Sequence, residues 1–186
     1  MTRPVTAAFL GSSLDGFIAG PDDELDWLER GGGPPEDHGF APFFASVDAL
    51  LIGRRTWEVV SRFPAWPYGE KPVFVLTRRP AEGRHGERFL QGSPAEVLAA
   101  LGDAGARRVY VDGGRVVSRV LAAGLLDELT ISILPVVLGR GIPLFVDAGP
   151  ERWLDLASSR AFGGGMVQLR YAARPRPPPA TSRPSS

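Results

Sequence analysis

Short apolar runs, each closed by glycine or a polar cluster, alternate along the chain with stretches of helical spacing. Val5–Gly11 is the first such run, and its near-continuous apolarity predicts a strand buried on both faces. Leu14–Leu28 carries Gly16, Gly20 and Pro21; it is too interrupted for one element and reads as a long loop, a class often functional in compact domains. After the break Gly31-Gly32-Gly33-Pro34-Pro35, a helix is expected from Glu36 to Ser46, with Phe40, Phe43 and Phe44 on one face. Ala49–Ile52 predicts a strand, and Gly53 opens a helix to about Phe63. Val73–Leu76 predicts the next strand and Arg88–Leu90 a short one. Ser93-Pro94-Ala95-Glu96 has the serine cap, first-turn proline and glutamate of a capping box, starting a helix through Leu101. Val109–Val111 predicts a strand, and Gly113-Gly114 leads into a helix that stops before Gly124, a C-cap. Leu129–Leu134 predicts another strand, and Leu154–Ala161 with Met166–Ala172 a hairpin around Gly163-Gly164-Gly165.

Strands alternating with helices imply an α/β fold with a largely parallel sheet and an antiparallel addition at its end. One domain over residues 1–173 is expected, followed by a disordered Pro/Ser-rich tail over 174–186 that has too little apolar surface to bury.

Composition narrows the chemistry. Among 186 residues, Lys+Arg and Asp+Glu are equal at 21 each, so no net field draws the chain to nucleic acid or an anionic membrane. With no cysteine, a disulfide framework, a thiolate nucleophile and Cys-ligated zinc are excluded. No apolar run approaches the ~20 residues of a membrane span, and the first residues match a signal peptide poorly, so a cytoplasmic protein is expected. The histidines, His38 and His85, lie far apart, and neither G-x-S-x-G nor HExxH occurs. No metal site is expected.

Two strand-to-helix junctions carry glycine at the turn. Leu50-Leu51-Ile52-Gly53-Arg54-Arg55-Thr56-Trp57-Glu58 is the first; Val109-Tyr110-Val111-Asp112-Gly113-Gly114-Arg115-Val116-Val117 is the second. A helix start offers free N–H donors and partial positive charge, and glycine lets a phosphate approach the backbone. Either junction alone is equally well read as a tight turn; two, each followed by arginine, favour a diphosphate site. Neither is the G-x-G-x-x-G of a Rossmann unit, and no P-loop is present. Val73-Phe74-Val75-Leu76-Thr77-Arg78-Arg79-Pro80 sets two arginines at a strand end, where α/β sheets bind ligands and guanidinium suits a 2′-phosphate.

These motifs, with Ser13-Leu14-Asp15-Gly16-Phe17-Ile18-Ala19 before them, resemble in order the dihydrofolate reductase superfamily. Leu126-Asp127-Glu128-Leu129, followed by Pro135-Val136-Val137-Leu138-Gly139-Arg140-Gly141-Ile142-Pro143-Leu144-Phe145, is similar to the branch shared with the reductase domain of riboflavin-biosynthesis deaminase–reductases. The resemblance spans about Val5 to Tyr171. It implies a mostly parallel sheet of about eight strands with helices on both faces, and NADPH as cofactor. By that analogy Ile18 and Ala19 lie along the nicotinamide ribose, and Gly53, Arg54, Arg55 and Thr56 hold the pyrophosphate and 2′-phosphate. Leu76, Thr77, Arg78 and Arg79 flank the adenosine; Val111, Gly113, Gly114, Arg115 and Val116 line the diphosphate. Four arginines near the adenosine end imply NADPH over NADH, each charge-assisted contact being worth roughly 1.5–3 kcal/mol.

On the substrate side the resemblance implies a carboxylate before the Gly-Arg motif, at Asp37 with Glu36 as the alternative register; a helix-start carboxylate favoured by the dipole is the competing reading. Trp27 and Ser132 are the other catalytic candidates, and Phe40 and Phe44 suit an aromatic ligand, although at helical spacing phenylalanines also serve as core. Between Ala19 and Val47 the basic residues are Arg30 and His38, poor provision for a phosphate. A reductase of a pterin-like or other C=N heterocycle therefore ranks above the riboflavin-pathway 5-amino-6-(ribosylamino)uracil phosphate reductase. A non-catalytic NADP-binding module is the alternative of another class. The apolar extension Leu134–Phe145 and the habits of the branch imply a homodimer.

Overall fold

The computed structural model of the chain describes residues 3–30, 38–79 and 81–174. In order these form β1 (Val5–Ser13), β2 (Phe17–Ala19), α1 (Asp26–Arg30), α2 (Phe40–Ala45), β3 (Ala49–Gly53), α3 (Arg54–Val60), β4 (Val73–Leu76) and β5 (Arg88–Leu90). There follow α4 (Pro94–Asp103), β6 (Arg108–Asp112), α5 (Gly114–Ala122), β7 (Glu128–Leu134), β8 (Ile142–Pro143), β9 (Leu154–Ala161) and β10 (Val167–Ala173). Eight strands make one sheet in the order β5-β4-β3-β6-β1-β7-β10-β9, in which β10 alone runs against its neighbours. The architecture is thus the α/β, mostly parallel sheet that the residue pattern implies, closed by the C-terminal antiparallel hairpin.

Helices cover both faces, which is why the inner strands are apolar without alternation. Val97, Leu98 and Leu101 of α4, with Val116, Val117 and Val120 of α5, bury one face against Ala8, Leu10, Leu51 and Val111. On the other, Phe43 and Phe44 of α2 and Val60 of α3 pack on Leu50, Ile52, Val75 and Tyr110. Each fully buried side chain of this size contributes about 1.5–3 kcal/mol, so the central strands β3, β6 and β1 are the most firmly held.

Pairing between β1 and β6 stops early. Val5, Thr6 and Ala7 pair with Arg108, Val109 and Tyr110; beyond them β1 follows β7 as far as Ser13↔Leu134, and β6 follows β3. The sheet therefore forks between β1 and β6 at their carboxyl ends, where open parallel sheets place their ligands. The Tyr110 hydroxyl donates to the Phe9 carbonyl at 2.9 Å, satisfying a group the ladder has abandoned.

Local departures from the sequence reading have simple causes. The Leu14–Leu28 segment is not all loop: it contains β2, paired with β8, and α1, which lies close over β1 because Gly11 has no side chain to meet Leu28. The helix expected from Glu36 begins only at Phe40, since Gly39 at φ 86° and His38 at φ 49° hold left-handed backbone that no α-helix tolerates. Similarly α3 ends at Val60 rather than Phe63. Asp37 and Glu36, and residues 175–186 of the expected tail, lie outside the described residues. No helix among the described residues is long and apolar enough to cross a membrane.

Much of the apolar extension at residues 134–145 is spent within the chain: Leu134 and Leu144 are buried, and Val136 and Leu138 pack beside Trp27 and Met166. Strand β9 is different, with residues 155–161 all exposed at the sheet edge and Leu156 56% exposed. Long open edges invite pairing, so a homodimer joined through β9 is the expected state. Light scattering should give twice the chain mass at micromolar concentration, and Leu156→Lys should shift it toward monomer; a wild-type monomer would contradict this.

Candidate active site

The two glycine junctions meet at the fork. Gly53 ends β3 and Gly113 follows β6, adjacent strands, so α3 and α5 start side by side on the sheet's carboxyl edge. Contact is close enough that a Cβ on Gly113 would lie 2.3 Å from Thr56 Oγ1, and Gly113 sits at φ 91°. A Cβ on Gly114 would lie 2.8 Å from the Pro143 carbonyl and 3.2 Å from Ile18 Cδ1. Ile18, Gly53, Thr56, Gly113 and Gly114, widely separated in sequence, are thereby brought together. Neither α3 nor α5 has a side-chain cap, whereas Ser93 and Glu96 cap α4 in a complete capping box. At the fork, the uncapped backbone donors of α5 and a glycine cradle without Cβ suit a diphosphate.

The arginines divide differently. Arg54 binds Glu58 at 2.7 Å and donates to the Arg79 carbonyl; Arg55 binds Asp23 at 2.6 Å and the Pro21 carbonyl at 3.2 Å. Asp23 belongs to the loop after β2 and holds φ 68°. Arg78 and Thr77, beyond Leu76 at the end of β4, instead border a cavity of about 420 Å3. Val116 is buried beneath Gly53, Ala19 is buried in β2, and Arg115 is exposed on the first turn of α5.

Across the fork lies an aromatic wall. Phe40 stands T-shaped to Phe9 at 5.5 Å and stacks on Phe44 at 5.7 Å; Phe43 meets Tyr110 edge-on at 5.0 Å. Phe40 is 39% exposed, so its ring is available, whereas Phe44 faces Tyr68 and serves the core. Ser132 is buried on β7 and accepts from Gln168 Nε2 at 3.0 Å, and the same amide donates to the His38 carbonyl. Trp27 anchors a small cluster with Leu134 and Met166, its Nε1 satisfied by the Glu24 carbonyl at 3.1 Å.

Asp112 was passed over in the sequence, although it is the one charge between the apolar end of β6 and the glycine pair. Its register partner is Ile52 and it precedes Gly113, whose N–H donates to its carboxylate at 2.7 Å. Burial pushes this carboxyl up to about 6, against the Gly113 N–H and Tyr68 hydroxyl that favour its charge. Tyr68 and Tyr110 respond in kind: burial first, then the Asp112 charge, raises both phenols.

Two loops close over the region together. The Asp15 carboxylate accepts from Ser13 Oγ at 2.7 Å, Leu138 N at 3.1 Å and Gly139 N at 2.7 Å, and these bonds, Ser13 foremost, hold it below the usual carboxylate range. The Leu14 amide donates to Val136 O and the Leu144 amide to Gly16 O, both at 2.8 Å.

Comparison with known proteins accords with this geometry. The family model described as the RibD C-terminal domain matches residues 4–168. The Bacillus subtilis (strain 168) protein YwjB is 34% identical over 169 residues, covering 89% of this chain and 96% of YwjB. The crystal structure of the "Putative riboflavin biosynthesis protein" from Shewanella sp. PV-4 superposes with a TM-score of 0.85 at 32% identity, over 92% of this chain and 99% of that one. Enterococcus faecalis dihydrofolate reductase, complexed with NADP(H) and RAB-propyl, shares the fold, with a TM-score of 0.64 at 20% identity over 92% of this chain and 97% of that one.

A raised carboxyl has a thermodynamic signature. The folded state keeps the Asp112 proton to a higher pH than the unfolded chain does, so stability falls as pH rises from about 4 through about 6. Thermal melts of Asp112→Asn should therefore gain on wild type across that interval; a difference that stays constant from pH 4 to 7.5 would refute the buried carboxyl. Gly113→Ala should cost on the order of 1–3 kcal/mol, measured by denaturant unfolding, because the new methyl meets Thr56 in a left-handed backbone.

Proposed function

The chain belongs to the RibD C-terminal domain family, and on that premise we propose that it is an NADPH-dependent reductase of a small C=N-containing heterocycle. The observation that carries this reading is the meeting of two uncapped helix starts with the buried Asp112 carboxyl at a fork walled by aromatic rings. NADPH, when bound, would supply the hydride.

The chain's own residues account for the rest. Amides at the start of α5, with Gly113 and Thr56, would hold the diphosphate, and Ile18 and Ala19 would lie along the ribose side. The exposed ring of Phe40, set edge-on to Phe9, offers an apolar face on which a heterocycle stacks and from which water is displaced. A C=N bond that gains hydride leaves its nitrogen needing a proton. Asp112 can give it, because at pH 6 about half its carboxyls carry one. In this reading Asp112 takes the proton-donating role that the resemblance implies for Asp37. Ser132 and Gln168 form a polar pair on the same face of the sheet, suited to the exocyclic groups of a pterin-like ring. A phosphorylated ribosyl pyrimidine is less well served: Arg30, the arginine of the 19–47 stretch, is tied to Asp26. A cytoplasmic location suits a reductase that draws on NADPH.

The decisive experiment is NADPH oxidation at 340 nm against pterins, quinones, imines and the ribosylaminouracil phosphate. Turnover of a C=N heterocycle is expected, with kcat falling above pH 6 and that limb absent from Asp112→Asn. The variant should lose about 100-fold in kcat and keep its NADPH affinity within about twofold. Saturable NADPH binding without turnover of any compound would make the chain a binder, and a loss below about threefold would remove Asp112 from proton transfer.

A further inference from the structure

A second cavity, of about 280 Å3, opens at the other edge of the sheet, where α5 ends and β7 and β9 begin. Helix α5 runs nine residues from the fork to this cavity, about 13 Å at 1.5 Å per residue, so a small molecule seated here lies apart from the candidate active site. Its floor is apolar: Leu121 and Leu126 are buried, and Leu154 and Ala173 are partly so. At its rim stands Trp153, 67% exposed, with its indole N–H bound to Glu151 at 2.6 Å. A tryptophan ring open to water beside an apolar floor offers a stacking face.

Three guanidinium groups line the cavity, and two of them are already balanced. Arg3 holds Asp127 through bonds of 2.6 and 2.7 Å, and Arg174 holds Asp155 at 2.5 Å. Arg152 has no carboxylate partner among the described residues. It is fixed all the same. Its Nη2 donates to the Ala122 carbonyl at 2.8 Å, and its guanidinium lies against Gly124, where a Cβ would come within 3.3 Å of Nη1. The negative end of α5 favours a cation at this place, but that bond uses a single donor. Arg152 Nε is buried with no hydrogen-bond partner among the described residues. A buried donor left unmade costs free energy that an arriving acceptor recovers.

We propose that this cavity binds a small aromatic carboxylate, its carboxylate on Arg152 and its ring between Trp153 and the leucine floor. One unspent guanidinium calls for one negative charge. A dianionic phosphate would be left partly uncompensated, because Asp127 and Asp155 already occupy the other two arginines. Guanidinium takes a carboxylate through two parallel donors, which fixes the acid's orientation as well as its charge. The volume lies just below the range of drug-sized pockets, which suits one ring or two fused rings rather than a nucleotide. The site is independent of the cofactor reading and stands whether or not the chain is a reductase.

Indole-3-acetate is a suitable probe, with indole-3-acetamide as its uncharged counterpart. Each is titrated into the full chain by calorimetry and followed on the Trp153 indole N–H resonance. The acid should bind at about 1 mM or tighter, as ligands of this size do, and the amide at least about tenfold more weakly. Arg152→Gln should bring the acid down to the affinity of the amide, a loss of roughly tenfold or more. Trp153→Ala should weaken the acid by about fivefold; because Trp153 is exposed, this variant tests the site even where Arg152→Gln, which also loses the Ala122 bond, lowers stability. Arg107→Gln, at an exposed arginine away from the cavity, controls for loss of charge alone and should change nothing. Equal binding of acid and amide, acid binding that survives both substitutions, or no binding at tenfold the expected concentration would overturn the proposal. So would loss of binding in Phe40→Ala alone, which would put the acid on the aromatic wall of the fork. A Trp153 resonance that moves with protein concentration and not with the acid would likewise overturn it and make this face a contact between two copies of the chain.

Discussion

The parting of β1 from β6 is the constraint on which the rest of the structure depends. Three parallel pairs hold the strands together, and the fourth position is given up. Continued pairing would seal the sheet and leave nowhere for a ligand to reach both of its faces. Once the strands separate, β7 must take over the whole free length of β1, which explains the seven-pair ladder from Ala7 to Ser13. Tyr110 then spans the gap with its hydroxyl, and its ring joins the aromatic wall. The same opening leaves Asp112 paired with Ile52 on one side and without a strand partner on its β1 side.

Charge is distributed around this opening with economy. Cationic side chains near the Gly53 turn are neutralised by the chain itself, one by its own helix and one by the loop after β2. Positive potential at the fork therefore comes from backbone donors, an already oriented source that needs no side-chain ordering, and from Arg115 on the first turn of α5, which has no ion-pair partner among the described residues.

The framework was legible in the sequence because it follows from periodicity and punctuation. Apolar runs too dense to alternate announced strands buried on both sides, and Gly53 and Gly113 marked the turns that lie together at the fork. Order along the chain also carried the resemblance to dihydrofolate reductases, and the sheet order agrees. What escaped depends on contacts between distant residues. Nothing local says that Arg55 will be occupied by Asp23, or that Trp27 will be a buried anchor whose indole N–H is satisfied within its own loop. Nor could periodicity detect that His38 and Gly39 would turn left-handed and cut the helix short. Asp112 did leave a trace, a lone carboxylate closing an apolar strand, but its meaning required knowing that Tyr68 and Tyr110 surround it.

The Asp15 clasp has a mechanical consequence. One carboxylate binds amides 123 and 124 positions away, and flanking backbone bonds on either side stitch the β1–β2 turn to the segment leading into β8. Two loops that look independent in sequence are in this way one lever with a shared pivot. Displacing β2 from the mouth of the fork must either carry residues 138–144 with it or break several hydrogen bonds at once. Deuterium uptake at Gly139 and Leu144 would then rise and fall with that of Phe17, and the rate at which the mouth opens would be governed as much by the far loop as by the near one.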